Sequence, residues 1–265
     1  MPDAAPSPAP DWLIAAAWPA PASIHACVTT RLGPGISAPP YDRFNLGEHV
    51  GDQASAVSHN RARLCTALRL PAKPLWMQQV HGVLVSDDAS LGKQTLPGPP
   101  VADAAITRQA NVVLAVLSAD CLPVFLCTED GSELALIHAG WRGLAAGVIE
   151  TCVGRMQSEP ERLLAWLGPA IGRLAFEVGA EVRDAMCQGE PAAAAAFQAL
   201  NRHPGAPAKW LCDLYLLARQ RLHRLGLRSV SGGEFCTYRD AERFYSHRRD
   251  GRSGRMASLI WREPN

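Results

Sequence analysis

The run ALIHAGWRGLAAGV, residues 135–148, carries an apolar segment into a histidine and then into glycine, tryptophan and arginine. His138 and Arg142 therefore place an imidazole and a guanidinium at the mouth of a segment whose composition calls for burial. Upstream, SADCLPVFL brings Cys121 to the start of a second apolar run, and QQVHG closes a third on His81. A thiol and two imidazoles at strand ends suit ligation of a zinc ion, or a Cys–His nucleophile and base. Read as ligands, one Cys and two His leave a fourth position open, the pattern of catalytic rather than structural zinc. The competing reading makes Cys121 a small buried hydrophobe and His138 a satisfied core histidine. Asp120, beside the thiol, either orients a ligand from behind or holds loop amides, because burying a carboxylate without partners is costly.

Strands must position these side chains. DCLPVFLCTEDGSELALIHAG reads as a hairpin across an Asp-Gly turn. With Asp130 and Gly131 as the turn residues, Cys121 opposes Gly140 and His138 sits two places away on the partner strand. With Glu129 and Asp130, Cys121 opposes His138. Side chains alternate faces with period two, so both registers bring thiol and imidazole to one face of the open end. NVVLAVL (111–117) is a continuous apolar run, as expected of a strand buried on both faces. SIHACVTTR (23–31), LWMQQVHG (75–82), RLLAWL (162–167), SVSGGEFCTY (229–238) and MASLIW (256–261) read as further strands. Helical spacing marks 53–68, through Val57, Arg61, Leu64 and Leu68, and 145–156, through Val148, Ile149, Cys152, Val153 and Met156. In 213–227 Asp213 is placed to cap a helix and Gly226 to end it. Residues 41–52 read as loop and 86–103 as a Pro/Gly/Asp-rich connection. The class expected is α+β, a single domain over 23–265 with a mixed sheet, preceded by a loose tail and lead-in at 1–22.

A formal net charge of +1 gives no global field to steer the chain to nucleic acid or a membrane. Eight cysteines scattered over 265 residues read as reduced thiols of a cytoplasmic protein. WLIAAAW near the start lacks a basic flank and follows Asp3 and Asp11, which argues against a signal peptide. No stretch reaches the length of a membrane span.

QQVHG, SADCLPVFL, IHAGWRGLAAGVIE, WLGPAIG, FEVG, CTY and FYSHRRDGRSGRMASLIW resemble the YfiH family, also called the PgeF or laccase-domain family; so do YDRFNLGEHVGD and the NR after it. The resemblance runs from about Thr29 to Trp261. It implies an α+β fold around a mixed β-sandwich flanked by helices, with zinc and the catalytic centre at His81, Cys121 and His138. It implies phosphorolysis of adenosine, inosine, guanosine and methylthioadenosine, with deamination of adenosine beside it. The partners expected are a purine nucleoside and phosphate, and the state expected is a monomer. One alternative is a peptidoglycan-editing amidase acting on muramyl precursors that carry L-serine. Another, a copper-dependent polyphenol oxidase, is disfavoured. Four-copper sites need many histidines, commonly in close pairs, and this chain has eight (25, 49, 59, 81, 138, 203, 223 and 247), no two within three residues. One copper in place of zinc is compatible with the donor set.

A three-ligand zinc site fits hydrolytic chemistry at C6 of adenosine or at an amide. Phosphorolysis also needs an anion pocket beside the ribose C1′. Basic candidates are Arg61, Arg142, and Arg248 or Arg249, and the helix start at GWRGLAAGV offers free N–H groups. The stretch SHRRDGRSGR (246–255) is basic and suits either anions or a solvated turn. Asn45, in FNLG, is the candidate hydrogen-bond partner of a ribose or base. Trp141 is read as core, Cys236 as buried, and His247 is given no chemistry.

Overall fold

Four strands with almost no polar interruption decide the architecture. In the computed structural model, which describes residues 10–88, 98–200 and 206–264, strands β5 (Leu114–Ser118), β6 (Leu122–Thr128), β7 (Leu134–Ala139) and β8 (Leu163–Leu167) are buried along their whole length. Such strands must be covered on both faces. One sheet has the order β12–β8–β6–β7–β4–β3, adding β12 (Ser229–Gly232), β4 (Ala104–Thr107) and β3 (Val85–Ser86). A second has the order β1–β2–β13–β5, with β1 (Leu13–Ala15), β2 (Ile24–Thr29) and β13 (Met256–Arg262). A third, small sheet joins β10 (Phe197–Leu200), β11 (Lys209–Cys212) and β9 (Glu177–Val178).

Period-two alternation sorts the central side chains into two layers. Leu122, Val124, Leu126, Ala135 and Ile137 pack in one cluster with α3 (Val148–Arg155), α4 (Ala180–Cys187) and α5 (Leu214–Arg224). Phe125, Cys127, Leu134 and Leu136 face Val28, Leu114, Val116 and Ile260 of the second sheet. The far face of that sheet, through Ala115, Leu117 and Leu259, meets Leu64 of α1 (Ala54–Ala67). The result is four layers, helix–sheet–sheet–helix. This is the mixed β-sandwich flanked by helices that the sequence predicts.

The hairpin pairs Leu122 with Ala139 and Pro123 with His138, the register set by Asp130 and Gly131. Pro123 does not break it. α1 falls within 53–68 as expected, and Asp213 accepts from the amide of Leu216 at 3.0 Å to cap α5. Other expectations are corrected. The helix over 145–156 is instead two, α2 (Trp141–Ala146) and α3, because Gly147 between them adopts φ +94°. LWMQQVHG forms only two isolated bridges, Leu75 to Leu114 and Gln78 to Val101. The late strand over 229–238 stops at Gly232, where positive φ at Gly232 and Gly233 turns the chain. Of the connection over 86–103, Ser86 ends β3, which pairs in parallel with β4, and residues 89–97 lie outside the described ones. Part of the lead-in joins the sheet: Leu13–Ala15 pairs with Cys27–Thr29. The first nine residues of the expected tail lie outside the described ones. No described helix is long and apolar enough to cross a membrane.

Candidate metal centre

The ligand atoms of His81, Cys121 and His138 lie within 4.8 Å of one another. Each arrives by a different device. His138 stands near the end of β7 and is buried. Cys121 immediately precedes β6, after a turn in which Asp120 takes φ +89°. His81 sits in an extended loop at φ +59°. Left-handed backbone at two non-glycine residues beside one cluster is a conformation that surrounding contacts must hold.

Asp103 supplies those contacts on one side. Its carboxylate, fully buried, accepts the backbone N–H of Val80 at 3.2 Å, His81 at 2.9 Å and Gly82 at 2.7 Å. The same carboxylate meets His138 Nδ1 at 2.9 Å. This explains why no ladder continues through the end of LWMQQVHG: the amides of its last three residues go to Asp103. It also leaves Nε2 of His138 for the cluster, the carboxylate–histidine arrangement that fixes the orientation of a metal-ligating imidazole. Asp120 does the corresponding work on the other side. It accepts from Thr237 Oγ1 at 2.6 Å, from Ser246 Oγ at 3.0 Å and from the amide of Arg248 at 2.7 Å. Its side-chain partners are thus two hydroxyls and one amide.

The close approach of the donors requires a glycine. A Cβ on Gly140 would lie 2.6 Å from His81 Nδ1 and 3.1 Å from Cys121 Sγ. Any other residue there would displace the cluster.

The electrostatics separate the two imidazoles. Burial, the neighbouring His138, and the positive charges of Arg142 and Arg255 lower the pKa of His81 against the opposing pull of Asp103. His81 is thereby kept neutral, with a lone pair to offer. Burial alone would lower His138 too, but Cys121 and Asp103 outweigh it and raise His138 to about 9. Asp103 is itself held below its ordinary value, its burial being outweighed by His138 and the amides it accepts from.

The basic residues around the centre differ in how far they are committed. Arg142 is exposed, stacks on Trp141 at 4.4 Å and makes no hydrogen bond among the described residues. Arg61 donates to the carbonyl of Leu46 at 3.0 Å, pairs with Glu48 at 2.8 Å and lies 4.2 Å from the Trp76 ring. Its charge still reaches His49, whose pKa is lowered by burial, Arg255 and Arg61. Arg248 and Arg249 are engaged elsewhere. Arg248 donates to the carbonyl of Glu177, and Arg249 to those of Thr237, Tyr238 and Phe244. Trp141 packs partly buried against the core, as read. Cys236 is half-buried rather than buried.

Asn45 is a correction. It is fully buried. Its Nδ2 donates to the carbonyl of Gly47 and to Asp52, and its Oδ1 accepts from the amides of Gly47 and Arg255. An amide side chain has two donors and two acceptor sites, so none is left for a ribose or base. Its role is to fix the backbone of Arg255. Sequence reasoning missed Asp103, His49 and Arg255 as individual site residues. Asp103 had a signal, a lone carboxylate leading into the buried run AAIT, and Arg255 lay within the basic stretch already noted.

The donor set fits a metal. A thiolate and two imidazoles suit zinc or copper, and among the described residues this is the one group of three or more His, Cys, Asp or Glu so placed. A family model described as multi-copper polyphenol oxidoreductase laccase matches residues 25–263. The purine nucleoside phosphorylase YfiH of Shigella flexneri is 49% identical over 253 residues, covering 94% of this chain and 98% of that protein. A purine nucleoside phosphorylase of Xylella fastidiosa strain 9a5c is 48% identical over 258 residues, covering 95% and 97%. The crystal structure of Neisseria meningitidis protein NMB0706 matches with a TM-score of 0.88 at 44% identity, covering 96% of this chain and 100% of that one. That of YlmD from Geobacillus stearothermophilus matches at 0.82 and 31% identity, covering 92% and 93%. The laccase-like similarity and the donor cluster together point to metal binding.

Proposed function

This chain belongs to the YfiH, or laccase-domain, family, and on that premise we propose that it is a zinc-dependent purine nucleoside phosphorylase. The observation that carries the reading is the convergence of His81, Cys121 and His138 beside arginines whose charge is felt at the cluster. The substrates are adenosine, inosine, guanosine and methylthioadenosine. A phosphate oxygen forms a bond to C1′ as the C1′–N9 bond breaks, and the electron pair of that bond leaves with the base.

When bound, zinc supplies Lewis-acid polarisation of a substrate atom. The chain does the rest. His81, Cys121 and His138 hold the ion, and Asp103 keeps His138 aimed at it. Arg142, the least committed cation, and Arg255 meet the phosphate, as guanidinium groups suit its oxygens. Gly140 clears the space beside the donors. The same centre serves adenosine deamination, in which a water oxygen bonds to C6 of the base as the C6–N6 bond breaks and the amino group leaves as ammonia.

Incubation of the purified protein with inosine, with and without phosphate, tests the proposal. Hypoxanthine is expected only when phosphate is present. Release independent of phosphate, or none, would refute phosphorolysis. Ammonia release from adenosine measures the deaminase component. Turnover of a muramyl–L-serine substrate without regard to phosphate would favour the amidase alternative.

A further inference from the structure

A cleft of about 450 Å³ opens between the 172–174 loop, the start of α5 and the 233–239 segment. It shares no lining residue with the cluster of His81, Cys121 and His138. Three guanidinium groups line it: Arg173, Arg219 and Arg239. Arg219 is fixed, donating to the carbonyls of Val230 and Gly232. Arg173 and Arg239 are exposed and make no hydrogen bond or ion pair among the described residues. Two uncommitted guanidinium groups lining one concavity offer an anion two positive charges.

The cleft also has an apolar wall and a fixed floor. Leu174 is 48% exposed beside Arg173, and Phe235, braced from behind by Phe244 at 5.9 Å, lines the same space. The Tyr215 hydroxyl accepts the amide of Ala170 and donates between the carbonyls of Gly168 and Phe235, which ties the lining segments together. Of the two carboxylates in the lining, Asp213 is engaged as the α5 cap. Glu234 is uncommitted among the described residues and offers an acceptor to an N–H group. A preformed concavity with an apolar wall and a few convergent polar groups has the makings of a small-molecule site.

We propose that this cleft binds a small organic anion, its carboxylate or phosphate oxygens on Arg173 and Arg239 and its planar apolar part against Phe235 and Leu174. The site is independent of the reaction assigned to the metal centre.

Phenyl phosphate is the probe, followed by titration calorimetry and by alkylation of Cys236. The Cys236 thiol lines the cleft and accepts the amide of Gly172 at 3.2 Å. Phenyl phosphate and benzoate should bind and slow alkylation of Cys236 by iodoacetamide, but not that of Cys65 on α1. The neutral control, benzyl alcohol, should do neither. The double variant Arg173→Ala/Arg239→Ala should weaken binding about tenfold or more, since two charge-assisted contacts are lost. Hypoxanthine release by this variant should match that of the unaltered protein, so a failed phosphorylase assay and a failed binding assay remain distinguishable. Unchanged affinity in the double variant, unprotected Cys236, equal binding of benzyl alcohol, or no binding at roughly 10 mM probe would overturn the proposal.

Discussion

Two polar clusters in this chain, one buried around Asn45 and one reaching the surface at His81, differ in what their lone pairs meet. Around Asn45, every group faces a complement. Ser37 donates to Asp52 at 2.6 Å, and Asn45 to Asp52 at 2.9 Å. Asn60 donates to Ser37 and to the carbonyl of Asn45, and accepts from the amide of Ile36. The network closes on itself and its product is a fixed loop. Around His138, one carboxylate satisfies the back of the cluster while a sulfur and two ring nitrogens point at one another. Polarity is common to both, but in the second only His138 is buried, Cys121 being half-buried and His81 exposed. Function is to be sought where three metal-ligating atoms converge instead of closing a network, since one cation can then hold all three.

Substitutions can break or sharpen that contrast. Cys121→Ala removes a donor, and turnover of inosine should fall on the order of a thousandfold or more with the loss of metal activation; metal content measured by plasma emission should fall with it. Asp103→Asn places an amide N–H₂ where three backbone amides and an imidazole need acceptors. Metal affinity should weaken roughly 10- to 100-fold, read by chelator competition. Asn60→Ala should lower stability by about 2 kcal/mol in urea unfolding, because it strands buried partners, while kcat per folded molecule stays unchanged. An Asn60→Ala protein that loses turnover at full stability would erase the distinction between the clusters. Arg142→Ala should raise the KM for phosphate about tenfold with a smaller change in kcat, the signature of a lost charge-assisted contact.

The smallest effect at neutral pH belongs to the buried thiols. Burial pushes Cys27, Cys127, Cys152 and Cys212 up to about 12 from 9.0. The folded chain keeps these protons where the unfolded chain loses them. Stability is therefore unaffected below about pH 9 and falls as pH rises from there towards 12, by about 1.4 kcal/mol per pH unit for each thiol. Cys152→Ala should remove one such increment from the alkaline slope.

How much of this was legible in the sequence follows from the range of the interactions. The hairpin register is local. The Asp-Gly turn and strict alternation place Cys121 and His138 together, and the β6–β7 pairing agrees. The apolar runs announce the central strands because nothing else about them matters to a sheet buried on both faces. His81 is legible by residue type, but its loop reads as a strand. The carboxylate that takes its amides lies 22 residues away and has no periodic signature. Asn45 was noticed for its chemistry and given the wrong role, since only three-dimensional contacts reveal that its four hydrogen-bonding positions are filled. Arg255 escaped as an individual because a basic stretch does not say which arginine turns inward. The edge strand Leu13–Ala15 was taken for lead-in because three residues carry no readable period.

The most direct test of the metal centre is an anomalous difference map collected at the zinc edge from crystals of the zinc-loaded protein. One peak is expected, within bonding distance of a His81 ring nitrogen, Cys121 Sγ and His138 Nε2, with no fourth protein donor. A peak elsewhere, or one enclosed by four protein ligands, would contradict the assignment.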